Sequence, residues 1–225
     1  MKAGQPLSHE YLEENIDLVR KGCANLRKHI SNAKKFGVSV VVAVNKFETD
    51  TEGETEAVLK EAEEAGAFKA VVSNHWAEGG SGAQELAEAV EGACASEKSS
   101  TFSYLYDLDL PVKEKIGAIC SEIYGADGVD FSELAEGQIK KYEESGFGKL
   151  PICIAKTQYS LSCDPSAKGV PEGFRISVRE LRVCVGAGFL LAIAGDIMTI
   201  PGLPTRPGFY DVDLDCESGA VVGLF

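Results

Sequence analysis

The apolar residues of this chain follow two rhythms, one of helices and one of strands. From Leu12 to Phe36 they recur at three- and four-residue steps, at Ile16, Val19, Cys23, Leu26, Ile30 and Ala33. That spacing predicts an amphipathic helix, closed by Lys34 and Lys35 in its last turn and by Gly37 just past it. The next stretch, VSVVVAV from Val38 to Val44, is almost unbroken and β-branched. It predicts a strand buried on both faces, as in a parallel sheet.

Thr51 followed by Glu54 has the spacing of a helix capping box, and the acidic run behind it stops before Gly66. Lys69 to Ser73 (KAVVS) predicts a second short buried strand. Ser81 and Gln84 open a further helix with Leu86 and Val90 on its inner face. A strand, helix, strand, helix order predicts parallel pairing with right-handed crossovers.

Beyond the polar stretch that starts near Glu97, a helix is predicted from Pro111 through Ile116 and Ile119 to Ile123, because proline suits the first helical position. Ser132 to Glu144 predicts another, and GADGVD (Gly125 to Asp130) reads as a turn-rich connection between the two. Strands are expected at Pro151 to Ala155, Phe174 to Val178, Leu181 to Val185 and Phe189 to Ile193. Asp211 to Phe225 reads as a terminal hairpin. The fold class expected is therefore α/β: a mostly parallel sheet flanked by helices, with a C-terminal β-rich portion.

Composition narrows the partners. The 225 residues can bury a sizeable core. A formal net charge of -13 argues against nucleic acid or an anionic membrane surface, both of which select basic faces. No apolar run approaches the roughly 20 residues that span a bilayer, and the first residues lack a signal-peptide core, so a cytoplasmic protein is expected. Seven scattered cysteines without a CxxC pair indicate reduced thiols. His9, His29 and His75 lie near no cysteine at metal-ligand spacing, so no metal site is expected.

Candidate chemistry gathers where predicted strands end, the edge at which open α/β sheets bind ligands. The first strand runs into Asn45, Lys46 and Phe47, and the second into Asn74, His75 and Trp76. If those strands are neighbours, Phe47 and Trp76 rise from one edge and can sandwich a planar ring. NKFE invites comparison with the NKxD guanine motif. However, Glu48 replaces the aspartate, and the chain contains no GxxxxGK[ST] phosphate loop. Lys156 and Gln158, after the PICIA strand, offer an anion partner and a heteroaromatic contact. His75 is a candidate general base. The loop MTIPGLP, Met198 to Pro204, is stiffened by Pro201, Gly202 and Pro204, which suits pre-ordered binding through Met198 and Leu203.

Five blocks together resemble the formate tetrahydrofolate ligases: NLRKHISNAKKFGVSVVVAVNKFETDTEGE, HWAEGGSGAQELAEAV, EIYGADGV, PICIAKTQYSLSCDPSAKGVPEGF and VRELRVCVGAGFLLAIAGDIMTIPGLPTRP. The resemblance runs from about Tyr11 to the terminal GLF. It implies an enzyme that uses ATP with Mg to phosphorylate formate, after which N10 of tetrahydrofolate attacks formyl phosphate. It further implies that Phe47 and Trp76 stack on the pterin and that Met198, Pro201, Gly202, Leu203 and Pro204 line the ligand and nucleotide pocket. Asn45, Lys46, Lys156 and Gln158 become polar contacts.

The implied architecture is P-loop NTPase-like, with the phosphate loop absent from this chain and carried by an N-terminal part of the family. Residues 1–36 are expected to form a helix that packs on that missing part and leaves an apolar stripe exposed. Residues 37–225 are expected to form the folate-side domain. The implied partners are tetrahydrofolate, formate, ATP and the missing part, in a homo-oligomer when full length. The chain alone is expected to be inactive. The alternative is a non-catalytic folate-binding or regulatory module.

Overall fold

A computed structural model describes residues 9–96, 102–197 and 204–224. The first long helix, α1 (Ile16–Lys34), starts at Asn15, whose side chain accepts the Leu18 N–H at 3.0 Å. Strand β1 (Val41–Asn45), helix α2 (Glu52–Glu64) and strand β2 (Lys69–Ser73) follow. Thr51 caps α2 by accepting the Glu54 N–H at 3.2 Å. The return half of the capping box is diverted: Glu54 Oε1 accepts the Asn15 N–H at 2.8 Å and so ties the starts of α1 and α2 together.

β1 and β2 pair in parallel, from Val41 opposite Lys69 to Asn45 opposite Ser73. One face of the pair packs under α1 and α2, where Ile30, Ala62 and Ala70 are buried among Leu26, Val42 and Leu59. α3 (His75–Glu78) and a 3-10 turn lead to α4 (Gln84–Ala95), which lies against the same strands. Ser39 and Ser96 meet there at 3.4 Å, on the face opposite Val42.

The second sheet has the order β3-β5-β6-β4, built from β3 (Gly128–Phe131), β4 (Ile152–Ala155), β5 (Arg175–Cys184) and β6 (Phe189–Ala194). Its pairs β3–β5 and β4–β6 are parallel, and β5–β6 is antiparallel. Helices α5 (Val112–Ile119) and α6 (Glu133–Glu144) close one core over it, around Val112, Ile116, Ile139, Ile176, Leu181 and Leu190. Lys115 is fully buried in that region. Its ammonium donates to the carbonyls of Leu108 at 3.2 Å, Gly148 at 2.5 Å and Leu150 at 2.8 Å, tying two loops to α5. Burial lowers its pKa, while Glu143 and Asp109 pull the other way. A short antiparallel pair, β7 (Asp213–Leu214) with β8 (Val221–Val222), forms the expected C-terminal hairpin.

α1 links the two sheets. Arg27 pairs with Glu61 of α2, while Asn32 donates to the Ile123 carbonyl at 3.0 Å and Lys35 to the Glu122 carbonyl at 2.8 Å. The exposed apolar stripe expected on this helix is not found, because Cys23 and Ile30 are buried within the chain itself.

Four other expectations change. GADGVD contains the start of β3 rather than only a turn, because the segment pairs with β5 and Val129 packs on the core, with Arg175 bridging to the Asp130 carboxylate at the exposed side. Phe174 to Val178 and Leu181 to Val185 are one strand, β5, whose register shifts between Val178 and Glu180. Val90 is exposed, and Ala89 and Ala93 form the inner face of α4, since only small side chains fit so close to the strands. Finally, β1 is not buried on both faces: Ala43 and Asn45 are exposed.

Candidate functional site

The parallel register puts the ends of β1 and β2 at one level. Lys46 N–H donates to the Ser73 carbonyl at 3.0 Å and joins the two tips just past the sheet. Each tip then turns sharply. In the first, Phe47 N–H donates to Asp50 Oδ2 at 2.8 Å and Asp50 N–H to the Phe47 carbonyl at 3.1 Å. These two bonds close the turn and leave Phe47 outward, 64% exposed.

The second tip is held more tightly. Asn74 N–H donates to the Gly82 carbonyl at 2.9 Å, its side chain donates to Glu78 at 2.8 Å, and its carbonyl accepts from Ala77 and Glu78. A Cβ on Gly82 would lie 2.4 Å from the Asn74 oxygen, so only glycine permits this closure. Gly79 turns the chain at φ +64°, a left-handed conformation that favours glycine. The short helix inside the clamp carries Trp76, 82% exposed. Neither Phe47 nor Trp76 makes a ring–ring contact among the described residues.

A large exposed aromatic on a rigid backbone offers apolar area at little ordering cost. Two such side chains here follow adjacent parallel strand ends. His75 shares this edge and is exposed, with its Nδ1 2.9 Å from Ser73 Oγ. Asn45 is exposed beside it, and Lys46 is half-buried. Below the Phe47 turn, Val19, Val44, Asp50 and Val58 line a cavity of about 320 Å³.

Lys156 and Gln158 lie elsewhere. They line a separate cavity of about 490 Å³ with Asn25, His29 and Tyr124, and neither Phe47 nor Trp76 belongs to it. The Lys156 ammonium donates to the Thr157 carbonyl at 2.9 Å and to the Ser160 carbonyl, and sits 4.9 Å from the Tyr124 ring centre. Burial lowers its pKa against the pull of the Cys163 and Cys120 thiols. Burial also pushes the Tyr124 phenol and the Cys120 thiol up to about 12 each, so both stay protonated and unreactive at neutral pH.

Of the predicted pocket loop, Met198, Pro201, Gly202 and Leu203 lie outside the described residues, and Pro204 is exposed. Sequence reasoning missed the residues that hold the two tips: Asp50, Asn74, Glu78 and Gly82. Among the described residues no group of three or more His, Cys, Asp or Glu could hold a metal ion, and no helix is long and apolar enough to cross a membrane.

Comparison with known proteins places the chain in a family. The family profile described as Formate--tetrahydrofolate ligase matches residues 1–225. The Formate--tetrahydrofolate ligase of Arabidopsis thaliana is 52% identical over 222 residues, which cover 99% of this chain and 35% of that protein. The cytoplasmic C-1-tetrahydrofolate synthase of Saccharomyces cerevisiae is 54% identical over 225 residues, 100% of this chain and 24% of its own length. A mitochondrial C-1-tetrahydrofolate synthase of Schizosaccharomyces pombe is 49% identical over 224 residues, 100% of this chain and 23% of its own. The chain thus spans about a quarter to a third of the curated relatives it matches. The full-length match to the family profile and identities near one half show that the chain belongs to the formate–tetrahydrofolate ligase family.

Proposed function

We propose that this chain is the folate-side portion of an ATP-dependent formate tetrahydrofolate ligase, with Phe47 and Trp76 closing on the two faces of the pterin. The observation that carries this reading is the pair of exposed aromatics locked onto adjacent parallel strand ends. Stacking holds the ring while leaving the folate N10 free to be aimed at an activated formyl group. Asn45 and Lys46 supply polar contacts at the same edge. His75 can relay a proton through the ring nitrogen that Ser73 does not engage. The loop containing Met198, Pro201, Gly202, Leu203 and Pro204 forms the far wall toward the nucleotide.

ATP with Mg supplies the phosphoryl group that activates formate in this family. The residues present do not fit that group. The chain has no GxxxxGK[ST] loop, and the glycine-rich turn Gly79–Ala83 is consumed in closing the Trp76 tip. No phosphoryl step is therefore assigned to this chain, and the rest of the ligase carries it.

The layers support a P-loop-like arrangement of the whole. α1 and α2 share one face of the β1–β2 pair. Crossovers between parallel strands are right-handed, so a strand that feeds α1 belongs on the outer edge of β1. The Lys46–Ser73 bond sets the alternation, by which the main-chain groups of Val41, Ala43 and Asn45 point to that edge. None of them is paired among the described residues. We assign that edge to a strand of the N-terminal part of the ligase.

The missing phosphate loop also favours a second reading, a folate-binding module without catalysis. Tetrahydrofolate titration and an ATP-dependent formylation assay, each with and without the N-terminal part of the ligase, separate the two. The first reading predicts folate binding by the chain, and formylation only when the N-terminal part is added. Binding without formylation in either case favours the module. Formylation by the chain alone overturns the assignment of the phosphoryl step.

A further inference from the structure

The cavity that holds Lys156 is separate from the Phe47 and Trp76 edge. It lies between α1, which supplies Asn25 and His29, and the loop that follows β4, and its volume of about 490 Å³ is within the roughly 300 to 1,000 Å³ of small-molecule sites. Asn25 donates to the Gly169 carbonyl at 3.0 Å and fastens the loop to the helix. Within the loop, Ser160 Oγ donates to the Ala167 carbonyl at 2.6 Å and lies 2.9 Å from Ser162 Oγ, so the lining is ordered before any ligand arrives.

Its charges do not balance. The chain carries 35 Asp and Glu residues, yet none lines this cavity, whereas the cavity below the Phe47 turn has Glu13, Asp50 and Glu54 in its wall. Asp164, the one acidic residue of the loop, accepts the Ser166 N–H at 2.8 Å and the Ser166 hydroxyl at 2.7 Å. Lys156 is half-buried and forms no ion pair among the described residues. Lys115 offers the contrast: the carboxylates of Glu143 and Asp109 pull against its burial, while the groups that pull against the burial of Lys156 are the Cys163 and Cys120 thiols. Two of the three ammonium protons of Lys156 go to the Thr157 and Ser160 carbonyls, which leaves one for a further acceptor. The Tyr124 ring, 4.9 Å away, eases the charge without neutralising it. His29 brings no negative charge in either protonation state. A partly buried cation without a counter-charge is costly, and a bound anion removes that cost.

We propose that this cavity binds a small organic monocarboxylate, with the carboxylate on the Lys156 ammonium and the apolar body against Tyr124, Ile154 and Leu161. One unmatched ammonium balances one negative charge, which selects a monocarboxylate over a phosphate dianion. Lys168, the other cation of the loop, already has Asp164 beside it. Gln158, exposed and with no side-chain bond among the described residues, adds a neutral amide donor to the lining.

The probe is benzoate, set against benzamide, which has nearly the same shape and no charge. Calorimetric titration in low salt should give one saturable benzoate site, with benzamide bound about ten-fold more weakly or worse, the loss expected for one charge-assisted hydrogen bond. Lys156→Met should make the two equal. Because Lys156 also tethers the loop, Gln158→Glu is the second variant: it keeps both tethers, sets a carboxylate in the lining, and should weaken benzoate about ten-fold while leaving benzamide unchanged. Equal affinities for benzoate and benzamide in the unmodified chain, or benzoate binding undiminished in Gln158→Glu, would overturn the role of the Lys156 charge. Displacement of benzoate by an equal concentration of inorganic phosphate would overturn the choice of a monocarboxylate. Trp76 is the only tryptophan and lies outside the cavity, so its fluorescence should stay constant as benzoate saturates. A fluorescence change, or no saturable binding at about 5 mM benzoate, would overturn the site.

Discussion

In the four-stranded sheet, Ile176, Leu181, Leu190, Ala192 and Ile193 have no exposure at all, whereas β1 leaves Ala43 and Asn45 open to solvent. The larger sheet has two central strands, and its inner core is closed by α5 and α6 with Lys115 bridging the loops. The β1–β2 pair has a thinner core, Ile30, Ala62 and Ala70 beneath α1 and α2, with Val71 and the small Ala89 and Ala93 of α4 also buried. Its largest aromatics, Phe47 and Trp76, point outward instead of inward. One region spends its hydrophobic residues on holding itself together, and the other presents them at a rigid edge. Sites that bind flat rings need the second arrangement, and they need the first beside them as a foundation.

This contrast can be broken at its base. Lys115→Met should remove the donor from three buried carbonyls and destabilise the chain by about 3 kcal/mol or more, read as a lower urea midpoint. A loss under about 1 kcal/mol would mean that the loops find other partners. Ile30→Ala should cost about 2 to 4 kcal/mol and act unevenly. Amides of β1 and β2 should exchange faster while those of β5 and β6 keep their protection. Uniform acceleration would show a single cooperative unit and erase the distinction between the regions.

Thr51→Ala tests the junction at which α1 and α2 begin, and should cost about 1 kcal/mol through the lost cap. The smallest effect concerns acid. The Arg175 guanidinium holds the Asp130 carboxyl below its ordinary range, so the stability it contributes is present above the unfolded carboxylate pKa and is lost as pH falls through the lower folded value. Asp130→Asn should therefore be milder at neutral pH than Thr51→Ala and should blunt acid unfolding below about pH 4. An unchanged acid limb of the stability curve would count against that pair.

Much of this was readable from spacing. Lys69 to Ser73 stands as predicted, because a short apolar run between polar ends has few alternatives. Thr51 and Ser132 cap their helices as their positions indicate. What escaped the sequence depends on distant partners. Gly125 to Asp130 looked like a turn because its glycines and aspartates punctuate loops, and it becomes a strand by pairing with the distant β5 while Val129 and Phe131 pack on the core. The bulge near Glu180 hid the continuity of β5. The burial of Lys115 has no signature in the sequence, since nothing local announces three carbonyls arriving from two loops. At the candidate site the aromatics were legible from matching positions after two strands. The clamp of Asn74 on Gly82 was not, because it is a main-chain closure.

The central claim is that Phe47 and Trp76 flank a planar ligand. Trp76 is almost fully exposed and stacks on no other described ring, so Trp76→Ala should leave the thermal midpoint unchanged and affect binding alone. Tetrahydrofolate titration of that variant should show affinity weakened by about 1 to 3 kcal/mol, a factor of roughly 5 to 150. Unchanged affinity, with the fold intact, would contradict the account.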